Sequence, residues 1–241
     1  MSEMRAYALE KAARGEQVPG HKYKSRKRGV DGSWVYDYGY ARAAYIRKKF
    51  GKASTEAEIK AAQEAANSLR FSVDETAAIL DWSGWGGHTI RNNPHGPRAI
   101  RLQKAIARAE ARLDRKPLLL FRGLRLTDHE LARLEKANWR KIIADKGLAS
   151  WTANPEIAGL YAQHYGGGPR VLLRVRTARG LPVPTAVISK YANESEVILP
   201  PLALRVRSVK TVAITPSLRP KGNATRRKER PFTVIELEEV K

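Results

Sequence analysis

Three short segments of this 241-residue chain carry side chains that can do chemistry together. In chain order they are Phe121-Arg122-Gly123, Ser150-Trp151-Thr152 and Glu194-Ser195-Glu196. An arginine offers a planar, permanently charged fork suited to phosphate. Residues two apart on an ordinary strand share a face, so the Glu194 and Glu196 carboxylates can converge on one site. There they can stabilise a developing positive charge or take a proton. Other chemistries have less to stand on. Zero cysteines exclude a thiolate nucleophile, a disulfide scaffold and Cys-ligated metal. The five histidines never fall at i, i+4 with an acid between them, and no Walker-type or GxGxxG loop occurs. A Ser–His–acid triad is not excluded by spacing, but no nucleophile elbow is present. Taken singly, each segment has a plain explanation: a strand-end arginine, a strand serine, a solvated glutamate pair. Their order within one β-rich half sets them apart.

The elements that must position these segments follow from periodicity and punctuation. Residues 1–66 form a polar, basic lead-in, with a short helix from Met4 to Arg14, a hairpin signal at Asp31-Gly32 and a helix from Tyr40 to Phe50. Ser54/Thr55 followed by Glu56 and Glu58 makes a capped start for a helix reaching Asn67. From Phe71 the texture changes. Ser72 to Glu75 opens a short helix over Glu75–Asp81, and Trp82-Ser83-Gly84-Trp85-Gly86-Gly87 is too apolar to be left exposed. A long amphipathic helix runs from Pro97 to Asp114, its apolar residues at helical spacing and its Arg and Lys facing outwards. Strands are expected at Leu118–Gly123, Gly147–Thr152, Val171–Thr177, Glu196–Leu199, Leu204–Ile214 and Phe232–Val240, with helices at Asp128–Ala137 and Pro155–Gln163. The fold class is α+β, a helical preface followed by a mostly β half.

Lys and Arg number 45 against 24 Asp and Glu, a formal charge of +21. Residues 1–120 sum to +10 and 121–241 to +11, so the charge is not one tail. It concentrates at His21–Arg28, Tyr40–Phe50 and Lys221–Arg230, the first two interleaved with aromatic residues. Such clusters suit nucleic acid, where cations meet phosphates and rings stack on bases. No apolar run approaches the roughly 20 residues a membrane span needs, and the amino terminus has no secretory-type apolar core. A cytoplasmic protein without membrane partners is expected.

The three segments, taken in order, resemble the mono-ADP-ribosyltransferases of the arginine–serine–glutamate, cholera-toxin-like class, of bacterial or phage effector type. That family reads Arg-Gly after its first strand, Ser-Thr-Ser on a middle strand and Glu-x-Glu opening a late strand. Here stand Arg122-Gly123, Ser150-Trp151-Thr152 and Glu194-Ser195-Glu196, with Gly147, Asn154-Pro155 and Val197-Ile198-Leu199-Pro200 as matching neighbours. Trp82-Ser83-Gly84-Trp85 and Ile90-Arg91-Asn92 resemble the aromatic-Thr-Gly and Ile-Asn segments of the family's helical lobe. The resemblance covers residues 67–241 and implies a helical N-terminal lobe followed by a split β-sandwich catalytic core, with residues 1–66 as a docking extension.

What the resemblance implies for each residue has a physical content. NAD⁺ would be co-substrate, with no metal. Glu196 would stabilise the oxocarbenium character of the ribose as nicotinamide leaves. Arg122 would hold the dinucleotide's phosphates beside Gly123, Ser150 would orient Glu196 by a hydrogen bond, and Thr152 would close the pocket wall. Trp151, where the family has a small residue, would crowd or reshape the nicotinamide pocket. Tyr165 and the glycines after it resemble a flap. Glu194 would activate the acceptor, with Tyr191 contacting it. Glu-x-Glu usually accompanies a protein arginine acceptor, whereas the charge points to DNA, RNA or a nucleic-acid-bound protein. Alternatives are a protein-arginine transferase toxin, NAD⁺ hydrolysis, and a non-catalytic nucleic-acid-binding phage protein. A toxin of this class would have an antitoxin or immunity partner.

Overall fold

A computed structural model describes residues 53–83, 86–137, 141–143, 147–164, 168–184, 187, 195–212 and 232–240. The lead-in elements expected before Ala53, Tyr165, Tyr191, Glu194 and the basic segment 213–231 lie outside the described residues.

Four helices precede the first strand among the described residues. Helix α1 (Glu56–Asn67) starts at a capping box in which Thr55 and Glu58 bond each other's backbone N–H, which answers donors the first turn would leave unpaired. Helix α2 (Val73–Ser83) starts similarly, Ser72 Oγ accepting from the Glu75 N–H and Glu75 Oε2 from the Ser72 N–H. A six-residue helix α3 (Gly87–Asn92) and the long α4 (Pro97–Arg112) follow. The apolar stripe of α4, with Ala99, Leu102, Ala105, Ile106 and Ala109 all buried, packs against Ala78, Ile79 and Trp82 of α2 and Ile90 of α3. Three arginines of α4 reach back to α2 carboxylates: Arg98 to Asp81 at 3.4 Å, Arg101 to Asp74 at 3.6 Å and Arg108 to Glu75 at 2.9 Å. That face is thus less a free cation strip than its outward-facing residues suggest.

The rest of the chain builds one mixed sheet. Its strands are β1 (Leu118–Arg125), β2 (Lys141–Ile143), β3 (Ala149–Thr152), β4 (Arg170–Thr177), β5 (Leu181–Pro182), β6 (Glu196–Leu199), β7 (Ala203–Val212) and β8 (Phe232–Glu239). Helix α5 (Asp128–Lys136) follows β1, and α6 (Pro155–His164) follows β3. The spatial order is β2-β7-β8-β4-β1-β3-β6-β5. Strands β1 and β4 pair along their full length, while β1 meets β3 at the Phe121–Thr152 pair. The sheet therefore splits between β1 and β3 into two wings. One face of both wings closes on a core of Leu118, Leu120, Trp151, Val171, Leu173, Val197, Leu199, Ile235 and Leu237. The other face carries the helical lobe over β6 and α6 over β1, β4 and β8.

Helix α1 belongs to this core: Ala62 is buried in it and Ile59 packs against it, while Ser54 Oγ accepts from the Leu119 N–H at 2.8 Å. Ala53 packs against the cluster formed by β1, β4, β8 and α6. Several expected boundaries shifted slightly, α2 running over Val73–Ser83 and β1 on to Arg125, and the short strands β2 and β5 were not expected. Among the described residues no helix is long and apolar enough to cross a membrane.

Gly123 shows why a glycine follows Arg122. A β-carbon there would overlap the Ala158 carbonyl of α6, so only a bare Cα lets α6 lie flat on β1. Gly123→Ala is expected to lower the unfolding free energy by about 2 kcal/mol or more; denaturant titration showing native stability would refute this close approach.

Candidate active site

Glu196 opens β6, and pairing with β3 sets Thr152 opposite it and Ser150 opposite Ile198. Opposed residues project on the same face, so Ser150, Thr152, Glu196 and Ile198 share one side of this wing. Trp151 and Val197 share the other. The Glu196 main chain is pinned on both sides: its carbonyl accepts from the Val183 N–H at 2.9 Å, and the Ser195 carbonyl accepts from the Ala153 N–H at 3.1 Å.

The helical lobe closes over the carboxylate. Trp82, in the last turn of α2, directs its indole Nε1–H at Ser150 Oγ (3.0 Å) and at Glu196 Oε1 (3.1 Å). Ser83 Oγ donates to Glu196 Oε2 at 3.4 Å, and the Ser150 hydroxyl also bonds the carboxylate. Arg91, on α3, lays its guanidinium over the Trp82 ring, 5.4 Å from the centroid. Glycine makes this packing possible: a β-carbon at Gly87 would come within 2.5 Å of the Trp82 carbonyl oxygen.

Burial pushes the Glu196 carboxyl above the ordinary carboxylate range. Bonds from Ser150, Trp82 and Ser83 and the Arg91 charge oppose that shift without cancelling it. The result is a carboxylate oriented by donors from two parts of the fold and poorly solvated, ready to stabilise a positive charge brought beside it. Among the described residues no three His, Asp or Glu side chains cluster as a metal site would require.

The other expected residues are placed as follows. Arg122 is half-buried on β1, one residue past the Phe121–Thr152 pair where β1 and β3 part, and alternation sends its side chain to the face opposite Phe121, the Trp151 side rather than the Glu196 side. Thr152 is buried, and its Oγ1 accepts from the Asn154 N–H at 2.9 Å, so its hydroxyl serves the turn into α6. Trp151, expected to crowd or reshape the nicotinamide pocket, is 3% exposed in the sandwich core, on the face away from Ser150 and Glu196. Ser195, directly before Glu196, has φ +48°, a left-handed conformation outside the strand region. The extended geometry begins at Glu196. Sequence reasoning did not assign Trp82, Ser83 or Arg91 to the carboxylate, although the Trp82-Ser83-Gly84 and Ile90-Arg91 segments marked the right places.

No protein-family model matches the sequence, and no curated protein does. Solved structures do. The ADP-ribosyltransferase Vis from Vibrio splendidus, in complex with the inhibitor M6, aligns at TM-score 0.52 and 19% identity, over 80% of this chain and 88% of Vis. The ADP-ribosyltransferase HopU1 of Pseudomonas syringae pv. tomato aligns at TM-score 0.52 and 12% identity, over 100% of this chain and 98% of HopU1. The enzymatic component C2-I of the Clostridium botulinum C2 toxin aligns at 0.52 and 13% identity, over 78% of this chain and 47% of its own. The chain has the fold of the bacterial ADP-ribosyltransferase toxins and effectors, an α+β split sandwich with a helical lobe.

A carboxyl whose proton is held more tightly in the folded chain stabilises the fold at low pH and loses that contribution as pH rises from the ordinary carboxylate range through its raised value. Glu196→Gln, which cannot ionise, is therefore expected to be more stable than the native protein at neutral pH, with the gap closing in acid. Thermal melts across pH in which the native protein is the more stable at neutrality would contradict the placement of this carboxyl.

Proposed function

We propose that this chain is an NAD⁺-dependent mono-ADP-ribosyltransferase. The observation that carries the reading is the Glu196 carboxylate, held by Trp82, Ser83 and Ser150 at the start of β6 in an ADP-ribosyltransferase fold. The bond between the nicotinamide nitrogen and ribose C1′ breaks, and its electron pair leaves with neutral nicotinamide. The positive charge that grows on the ribose is stabilised by Glu196, whose fixed orientation makes the interaction stronger in the transition state than in the ground state. The acceptor nucleophile then bonds to C1′ and gives up a proton, which Glu194 takes. Arg122, at the parting of β1 and β3, supplies the cation for the diphosphate. Tyr165 covers the bound dinucleotide and Tyr191 contacts the acceptor. Water in place of the acceptor would give NAD⁺ hydrolysis.

For the acceptor we infer nucleic acid or a protein bound to it, with a role as an effector whose activity a producing cell would restrain through an antitoxin or immunity protein. The support is the net charge of +21. One nucleotide pocket needs few cations, and exposed Lys104, Arg112, Arg205 and Lys210 add to the sequence clusters. A guanidinium acceptor, as on a protein arginine, is favoured instead by Glu194 and by Vis having been crystallised with agmatine, a guanidinium compound.

Radiolabelled NAD⁺ added to a bacterial lysate with the purified chain separates these. Label removed by nuclease supports nucleic acid, label removed by protease supports protein, and competition by agmatine supports arginine. Glu196→Gln is expected to reduce labelling on the order of a hundredfold or more. Full labelling by that variant, with the fold intact, would overturn the site.

A further inference from the structure

We propose that Trp82 and Arg91, both on the helical lobe, are positioning residues for Glu196: the Trp82 indole N–H, shared between Ser150 Oγ at 3.0 Å and Glu196 Oε1 at 3.1 Å, sets the direction of the Ser150–Glu196 hydrogen bond, and the Arg91 guanidinium, 5.4 Å from the ring centroid, holds the ring there. This rests on the reading of Glu196 as the transferase carboxylate.

The argument turns on what an indole can and cannot do. Its Nε1 is a donor only. A hydroxyl at the same place could either give to Ser150 or accept from it, leaving the serine proton free to point either way. Because Trp82 can only donate, the Ser150 oxygen is occupied as an acceptor, and its own proton is left to Glu196. The chain of donors then runs one way, from Trp82 through Ser150 to the carboxylate, and each bond polarises the next. A single hydrogen shared between two acceptors binds neither strongly. Its effect is geometric, holding the Ser150 and Glu196 oxygens at fixed separation from one nitrogen.

Ser83 completes the constraint by reaching the second carboxylate oxygen at 3.4 Å. With Oε1 and Oε2 both tied to adjacent residues of α2, the plane of the carboxyl is fixed by the helical lobe rather than by its own strand. Small errors in such placement cost large factors in rate. Arg91 acts from the next helix. Trp82 is 4% exposed, so its ring is already packed, and the cation over its face adds a directional contact. Its charge also favours the ionised carboxyl, in the same sense as the three hydrogen bonds.

The test replaces Trp82 in the full-length chain with benzothienylalanine, which keeps the ring shape but has sulfur where the N–H was, and makes Arg91→Lys and Arg91→Met. Two readouts are taken. The first is nicotinamide release from NAD⁺, with NAD⁺ affinity measured separately and Glu196→Gln as the reference for site-dependent turnover. The isostere is expected to lower kcat on the order of tenfold, with NAD⁺ affinity within about twofold of native. Arg91→Met should lower kcat in the same direction, and Arg91→Lys, which keeps a cation over the ring, should restore most of it. The second readout is the titration of the Glu196 carboxyl by ¹³C NMR, assigned with Glu196→Gln. Its midpoint should move up in the isostere and in Arg91→Met. An isostere with native kcat, or a loss confined to NAD⁺ affinity, overturns the proposal. So does an unmoved midpoint, which judges the positioning even if the chain transfers nothing. Native protein without Glu196-dependent nicotinamide release would instead overturn the transferase reading.

Discussion

A carboxylate drawn out of water at the start of a strand is unstable unless directed donors and a nearby cation offset the lost hydration. Glu196 is in that position, and its donors come from outside its own strand. Trp82 and Ser83 descend from α2, Ser150 lies on the neighbouring strand, and Arg91 adds its charge from α3. The rest of the described structure can be read as what keeps these groups in place. The β3–β6 register brings Ser150 diagonal to Glu196, the Val183 and Ala153 N–H groups clamp the main chain, and α4 holds α2 and α3 against β6.

That register leaves little tolerance. A slip of one residue between β3 and β6 would invert one strand relative to the other and leave Ser150 and Glu196 on opposite faces of the sheet. Burying an indole on one face and a hydrogen-bonded serine on the other specifies the pairing from both sides. Trp151 thus serves the site without touching it: its burial fixes which way Ser150 points. Ser195 plays a related part. Its left-handed φ of +48° lies outside the strand region, so the ladder begins at Glu196.

Much of the scaffold was legible because local physics decides it. The Thr55–Glu58 box, the stripe of α4 and the alternation of β4 are set by neighbours in sequence, and each element appears within a few residues of its expected place. Strands β2 and β5 were not legible, since Lys141–Ile143 and Leu181–Pro182 are too short to show a period and exist by pairing with distant β7 and β6. At the site, the Ser150–Glu196 contact was implied by the family resemblance. The face taken by Trp151 and the hydrogen bonds of Trp82 did not. A tryptophan with an apolar body and one polar hydrogen reads as core whether or not that hydrogen has a task, and only the tertiary fold supplies its partners.

The charge of the chain acquires a second meaning from the same geometry. Arg98, Arg101 and Arg108 project from α4 toward Asp81, Asp74 and Glu75 of α2, the helix that ends in Trp82 and Ser83. The Arg101–Asp74 pair is substantially exposed, and such a pair contributes at most about 1 kcal/mol. Glu75 is different: it is buried, caps its own helix through Ser72 and meets Arg108 at 2.9 Å, so removing that arginine would strand a carboxylate. Part of the positive charge is therefore committed to fixing where α2 ends, and hence where the donors to Glu196 lie. A count of basic residues overstates what is available to a polyanion by the number so engaged. Lys104 and Arg112 stand exposed on the same helix as the bracing arginines, so one element can carry cations with different tasks.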